Sequence, residues 1–309
     1  MINFRYHIVS LTAVFLALAI GLIVGTAALN GPAADNLQHE VTSISHSNTQ
    51  LRGQVVALES EIAQKEQFAT EAAPMLLQNK LAGRRVLVLS MQQASKYVPG
   101  VLTDLGLAGA KVTAQVELED SFNDPSRNSF LLDLAETSVV STAISGLPAN
   151  SDGVETSSAL LAAVLMDHTP AVSQAARETV LKAYQDKSFL TVTGDVSAPA
   201  EAVVLVAGPP YTDQNSSQEN ANMVTIIDQF DKPGPIVVGS ASAAGSGNVI
   251  GAVTGDAALS KSVSTVDNVD TPQGQVAAVL AMYEQMITGN AGHYGLASSA
   301  SSLLPKLTQ

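Results

Sequence analysis

The chain has 309 residues with 15 Lys and Arg against 28 Asp and Glu, a formal net charge of −13, no Cys, no Trp, and only six Tyr and seven Phe. So few cations and aromatic rings argue against a nucleic-acid binder, which displaces phosphate counterions with Lys and Arg and stacks bases on rings. Without thiols there is no disulfide, iron–sulfur cluster, Cys-rich zinc site or Cys nucleophile, and an outer-membrane barrel would want aromatic girdles that this composition does not supply.

Ile8–Leu29 reads IVSLTAVFLALAIGLIVGTAAL, 22 residues without a charge. At ~1.5 Å per residue it covers roughly 33 Å, enough for a ~30 Å hydrocarbon core. Gly25, Thr26 and Ala27 before Ala28 offer the small residues of a signal-peptidase site. A cleavable leader, however, has an apolar stretch of only ~7–15 residues, so the expectation is an uncleaved anchor. Arg5 precedes the span, and the first charges after it are Asp35 and Glu40. The positive-inside rule then predicts a single-pass protein of the cell membrane, N-terminus cytoplasmic and the bulk of the chain extracytoplasmic. Ala17, Gly21 and Gly25 recur every four residues, a row that lets two membrane helices approach closely if a partner is present.

Asn30-Gly31-Pro32 is expected to stop that helix. Leu37, Val41, Ile44, Asn48, Leu51, Val55, Leu58 and Ile62 then follow a 4-3-4-3 spacing over residues 35–73. That is the 3.5-residue period of a coiled coil. With Leu37 at d, Val41, Asn48, Val55 and Ile62 fall at a, and Ile44, Leu51 and Leu58 at d. β-branched residues at a with Leu at d favour a parallel two-stranded coil, and one buried Asn sets its register. Glu61 at g would face Glu66 at e of an identical partner, which leaves room for a different partner helix; the same face could instead cover the chain's own domain. Pro74 is expected to interrupt the helix, with a short helix over Met75–Leu81. His39 and His46 fall at f, one heptad (~10 Å) apart, too far to clamp one metal ion and consistent with solvated side chains.

From Arg84 the pattern becomes short apolar runs between helical stretches. Strands are expected at Val86–Ser90, Val112–Val116, Phe189–Val192, Ala202–Ala207, Ile236–Gly239 and Val249–Val253. Helices are expected at Tyr97–Leu107, Ser126–Glu136, Val154–Met166, Val172–Tyr184, Gln218–Phe230 and Gln273–Thr288. Runs apolar on consecutive positions are buried on both faces, which predicts a largely parallel α/β sandwich. Residues 1–111 carry eight basic and seven acidic side chains, residues 112–309 seven and twenty-one, so the acidity belongs to this domain.

Ligands in such sheets sit at the carboxyl ends of strands, here the loops Ser90–Ser95, Gly208–Ser217 and Ser240–Gly247. Gly245-Ser246-Gly247-Asn248-Val249-Ile250-Gly251 has Ile250 where a dinucleotide loop needs its third Gly, and a strand is expected to follow it. No phosphate-loop, nucleophile-elbow or zinc-protease motif occurs, and His168 and His293 have no nucleophile at a useful spacing. The chain therefore reads as non-enzymatic. Asp267 and Asp270 suit turn and cap positions better than a cation site. Met282, Met286 and His293 would suit Cu(I) by donor type, but core packing is the commoner use of such Met pairs.

Three stretches together carry a resemblance: RYHIVSLTAVFLALAIGLIVG near the start, STVDNVDTPQGQ before the last helix and GNAGHYG after it. The chain resembles, over essentially its full length, the actinobacterial copper transport family MctB, also called SteB in the setting of cell division. The resemblance implies a channel-forming envelope protein that protects against copper by efflux. Its division-linked members imply a SteA-like membrane partner and coiled-coil contact with a RipA-like peptidoglycan hydrolase. One membrane helix cannot line a pore by itself, because backbone groups in lipid need several spans or a closed barrel. Copper handling normally shows as clustered Cys, Met or His. Either an oligomer forms the pore or the copper effect is indirect.

The expected organisation is thus 1–30 cytoplasmic stub and transmembrane helix, 31–82 coiled coil, 83–292 extracytoplasmic α/β domain and 293–309 C-terminal tail. No resident cofactor is expected, copper lacks ligand clusters, and the expected partners are the membrane and a second copy or another coiled-coil helix, not nucleic acid.

Overall fold

The computed structural model describes residues 4–30, 32–140, 142, 144–241 and 247–306. The chain divides into two compact units, residues 1–65 and 66–309.

In the first unit, α1 (Phe4–Asn30) is one continuous helix whose apolar stretch Phe4–Ala27 is long enough to cross a membrane. Its side chains over residues 4–24 are exposed, and nothing stands within 4 Å of where a Cβ on Gly21 or Gly25 would lie. Helix α2 (Pro32–Leu77) begins here, and its last turns, from Glu66, belong to the second unit. Pro74 lies inside it rather than ending it. The missing Pro N–H forfeits one backbone bond, but Gln78 N still donates to Pro74 O at 3.2 Å, and Ala73 and Leu77 on either side are buried in the core. Burial of that turn outweighs one lost hydrogen bond, and no separate helix forms over Met75–Leu81.

The second unit follows as β1 (Arg85–Met91), α3 (Val98–Leu107), β2 (Lys111–Leu118), α4 (Asp120–Asn123), α5 (Asn128–Val139), α6 (Gly153–Leu165), α7 (Gln174–Gln185), β3 (Leu190–Thr193), β4 (Ala202–Ala207), α8 (Ser216–Asp231), β5 (Ile236–Ser240), α9 (Val249–Gly255), α10 (Leu259–Ser262), β6 (Val263–Val266), α11 (Pro272–Thr288) and β7 (His293–Tyr294). The strands form one sheet in the order β3-β2-β1-β4-β5-β6-β7, all parallel except β3, which pairs antiparallel with β2. This is the expected largely parallel α/β sandwich.

Alternation along the central strands feeds two cores. Leu87, Leu89 and Met91 of β1 and Val203 and Leu205 of β4 face one, under α5–α9; Val86, Val88, Val204 and Val206 face the other, under α3, α11 and the end of α2. Both faces are covered, which is why these strands are apolar at successive positions.

Val249–Val253 is a correction: it forms α9, not a strand. Asn248 caps it, its Oδ1 accepting Gly251 N at 2.6 Å, and Val249, Ile250 and Val253 point inward while Gly251 and Ala252 face out. A five-residue apolar run does not distinguish a strand from a short helix; the cap decides. Strand β6 went unrecognised because Val263-Ser264-Thr265-Val266 is half polar. Its Ser264 Oγ reaches Gln285 Oε1 at 2.9 Å and Thr265 Oγ1 pairs with His293 Nδ1 at 2.9 Å, partners far along the chain.

Burial also makes a pH-dependent weak point. Asp104 on the inner face of α3 has its carboxyl pushed up from 3.8 to about 6 by desolvation. A raised carboxyl favours the folded state below the unfolded value, and that advantage is lost as pH rises through 4 to 6. Asp104→Asn is therefore expected to stabilise the protein by about 2 kcal/mol at pH 7 and to change nothing below about pH 4, read from urea unfolding at the two pH values.

Candidate functional site

Three places could carry function. The first is the long stripe of α2. Leu37, Val41, Ile44, Leu51, Val55, Leu58 and Ile62 are 52–62% exposed, and Asn48 among them is exposed too. These residues form one contiguous exposed apolar row along α2, and exposed apolar surface of that kind is what interaction faces use. Lys65 at the next d position is tied to Glu61 by an i,i+4 ion pair of 2.8 Å; Glu59 is left without an ion-pair partner among the described residues, as is Glu66.

The second place lies wholly in residues 66–309. Phe68, Ala69, Ala72 and Leu76 of α2, Val276 of α11, and Leu296, Leu303 and Leu304 of the C-terminal segment line an apolar groove of about 220 Å³. Ala69, Ala72 and Leu76 fall at a, d and a when the heptad count is carried on from Ile62. The sequence reading missed the far wall, Leu296, Leu303 and Leu304, because isolated leucines among Ser and Ala carry no periodicity.

The third place is the crevice where the strand order reverses, beyond the carboxyl ends of β1 and β4. Gln92 Oε1 accepts Asp120 N at 3.1 Å, and Gln93 packs so tightly on Gly208 that a Cβ there would stand 2.5 Å from it. Asn123 Nδ2 donates to Glu219 O at 3.1 Å, and Asn222 Nδ2 donates to Asn123 O at 3.3 Å, joining α4 to α8. Burial, followed by the adjacent Asp213 carboxyl, raises Glu219 to about 7. Asn123 Oδ1, Tyr211 Oη and Glu219 Oε2 are buried; the Tyr211 hydroxyl lies within hydrogen-bonding reach of the Asn123 and Gln93 side chains, and Glu219 within reach of Asp213. Tyr211 and Asp213 do lie in one of the strand-end loops singled out from sequence; Asn123 and Glu219 were missed, since each sits unremarkably in a short helical stretch.

The other residues singled out serve the fold. Asp267 accepts Leu296 N at 2.7 Å and Ala297 N at 2.9 Å, clamping the segment after β7, and Thr271 caps α11. His293 spends both ring nitrogens, on Thr265 Oγ1 and on Ser260 O at 3.1 Å. Met282 is fully buried and Met286 packs on the same core, so both methionines serve packing. His168 Nδ1 meets Pro170 O at 3.0 Å. Among the described residues no three His, Asp or Glu side chains come together as a metal-binding group. The Gly-rich loop after β5 falls largely on residues 242–246, outside the described residues; a helix, not a strand, follows it, and Ile250 still occupies the place of the third Gly.

The architecture defines a mixed α/β protein with a mostly parallel sheet and one N-terminal apolar helix of the length that anchors a chain in a membrane. The chain belongs to the family described as copper transport outer membrane protein, MctB, whose family model matches residues 1–305. It is 27% identical, over 98% of its own length and 99% of theirs, to proteins named copper transporter MctB from Mycobacterium tuberculosis and Mycobacterium bovis. A protein of the same name from Mycobacterium leprae is 26% identical over the same shares.

Proposed function

We propose that this protein is a single-pass, non-enzymatic envelope scaffold that serves the family's copper-related role by holding partners rather than by ligating metal. The observation that carries this reading is the unburied heptad stripe of α2. Two such stripes, or one stripe and a partner helix, bury the seam in a coiled coil, with Asn48 setting register and Leu51, Val55, Leu58 and Ile62 supplying most of the contact. Ala17, Gly21 and Gly25 let α1 pair in parallel with the same assembly, and Arg5 keeps the N-terminus on the cytoplasmic side. A role in division, through a membrane partner and a peptidoglycan hydrolase, fits the same surface.

The chain has no Cys, so a single introduced thiol is unambiguous. Asn48→Cys in membranes is expected to give a disulfide dimer on adding an oxidant if two copies pair in parallel, and a mixed product with a thiol-to-amine cross-linker if another helix takes the stripe. Leu51→Asp with Leu58→Asp should abolish either product by at least about tenfold, since charges at d positions desolvate without partners. A full-length Asn48→Cys chain that stays monomeric and uncross-linked with both the oxidant and the cross-linker overturns the scaffold reading. Conductance of purified protein in planar bilayers would instead establish the channel reading that the family's description suggests.

A further inference from the structure

We infer that the apolar groove walled by the last turns of α2, the start of α11 and the segment after β7 docks a basic amphipathic helix of a partner protein, with its apolar side chains in the groove and its Lys or Arg along the rim. This deepens the scaffold reading by giving a held partner its chemistry, and it uses none of the stripe at residues 37–62. The groove of about 220 Å³ lies wholly in residues 66–309. Three of the large side chains lining it are far from covered: Phe68 is 74% exposed, Leu296 71% and Leu303 63%. Ala69 and Ala72 follow Phe68 along α2, and short side chains on a helix face let another helix come close. The segment that carries Leu296 and Leu303 already covers the outer edge of β7 through the Tyr294–Ser302 bridge. The groove therefore offers side chains rather than a strand edge, which fits a helix with anchors at i, i+3 or i+4 and not an added strand.

The sign of the partner's charge follows from the walls. Residues 66–77, 268–276 and 295–304 carry Glu66, Glu71 and Asp270 and no Lys or Arg. None of these three carboxylates is in an ion pair among the described residues. Of the flanking lysines, Lys65 is held by Glu61 at 2.8 Å, and Lys80 and Lys96 stand over the Tyr283 and Tyr97 rings at 4.9 Å, which leaves Lys306 against three acids. A second copy of the chain would bring its own Glu66 and Glu71 to the same wall, like against like, whereas Lys or Arg on a different helix complements it. A second observation also asks for donors. Asn268, 8% exposed, and Gln273 line the groove, and the side-chain amide oxygen of each is buried with no hydrogen-bond partner among the described residues. A hydrocarbon occupant such as an acyl chain leaves both oxygens unpaired, and a helix edged with N–H and ammonium donors does not.

The full chain in a non-ionic detergent tests this, with two synthetic helices as probes, one of Leu and Lys in an amphipathic pattern and one with Glu in place of every Lys. The chain has no Cys, so Met75→Cys, next to Leu76 and at a position 85% exposed, takes a single environment-sensitive dye; uptake of peptide by micelles is common to every variant. The dye is expected to report an apparent affinity for the Leu/Lys helix at least about tenfold tighter than for the Leu/Glu helix. Leu296→Ser with Leu303→Ser should keep the melting temperature and weaken the Leu/Lys response about tenfold. Glu66→Gln with Glu71→Gln and Asp270→Asn should narrow the gap between the two helices. Leu51→Asp with Leu58→Asp should leave the groove response unchanged, so that the stripe and the groove fail separately. Equal responses to the two helices, no response to either, or no change in the double-serine variant overturns the inference. A dye signal that grows with protein concentration in the absence of peptide makes a second copy the occupant and overturns it as well.

Discussion

Gly274→Ala is expected to destabilise the α/β unit by about 3 kcal/mol, although an alanine in a helix is ordinarily worth up to about 1 kcal/mol over glycine. A Cβ at position 274 would stand 1.9 Å from Asn268 O, 2.3 Å from Asn268 C and 2.9 Å from Val269 N. All three are backbone atoms of the β6–α11 turn and have no rotamer to change. That turn is also tied by Gln275 Nε2 to Val269 O at 3.1 Å and by Gly274 N to Thr271 Oγ1 at 3.2 Å, so α11 must shift away from the sheet or the turn must open. Gly100→Ala is the control. Its Cβ would meet the end of the Gln275 side chain, which can swing away but gives up its bond to Val269 O, so the loss should be about 1 kcal/mol, well below that for Gly274→Ala. Thermal melting of the full chain in detergent, followed by circular dichroism, compares the two; equal losses would show that the turn yields as easily as a side chain.

Arg177→Met should cost about 3–5 kcal/mol, roughly 10 °C of melting temperature for a unit of this size. The guanidinium is 3% exposed and pairs with no carboxylate among the described residues. It donates instead to Val164 O at 2.6 Å, Val196 O at 2.8 Å, Ser197 O at 3.0 Å and Val172 O at 3.3 Å. One side chain thereby satisfies the end of α6, the approach to α7 and the loop before β4. Methionine matches the volume but leaves four carbonyls without these donors in a dry site. Lysine keeps the charge but lacks the planar fork, so Arg177→Lys should recover only part of the loss. Full recovery by lysine would show that charge, not the fork, holds these segments.

The residues show why some of this was legible in the chain and some was not. AVVLVA at Ala202–Ala207 is buried on both sides of the sheet, and its β-branched residues at successive apolar positions favour a central parallel strand. The heptads of α2 were legible for the same kind of reason, since a local period needs no knowledge of the rest of the molecule. Pro74 misled because its local penalty is visible and the burial of Ala73 and Leu77 is not. Val249–Val253 misled because a short apolar run is neutral between strand and helix until its cap is known. The crevice was half legible: strand-end loops can be named from sequence, but not which distant oxygens they bring together.

Composition and local period by themselves determined the absence of thiol chemistry, the span-length apolar helix, the heptad spacing of α2 and the largely parallel sheet, because each depends on residues within a few turns of one another. Only the tertiary structure decided that the motif Ser264–Gln275 serves the packing of α11, that His293 and Met282 are engaged inside the fold, and that Asn123 and Asn222 join α4 to α8. Those outcomes depend on which groups from remote segments become neighbours in a low-dielectric interior, where an unpaired oxygen is costly and a matched one is silent.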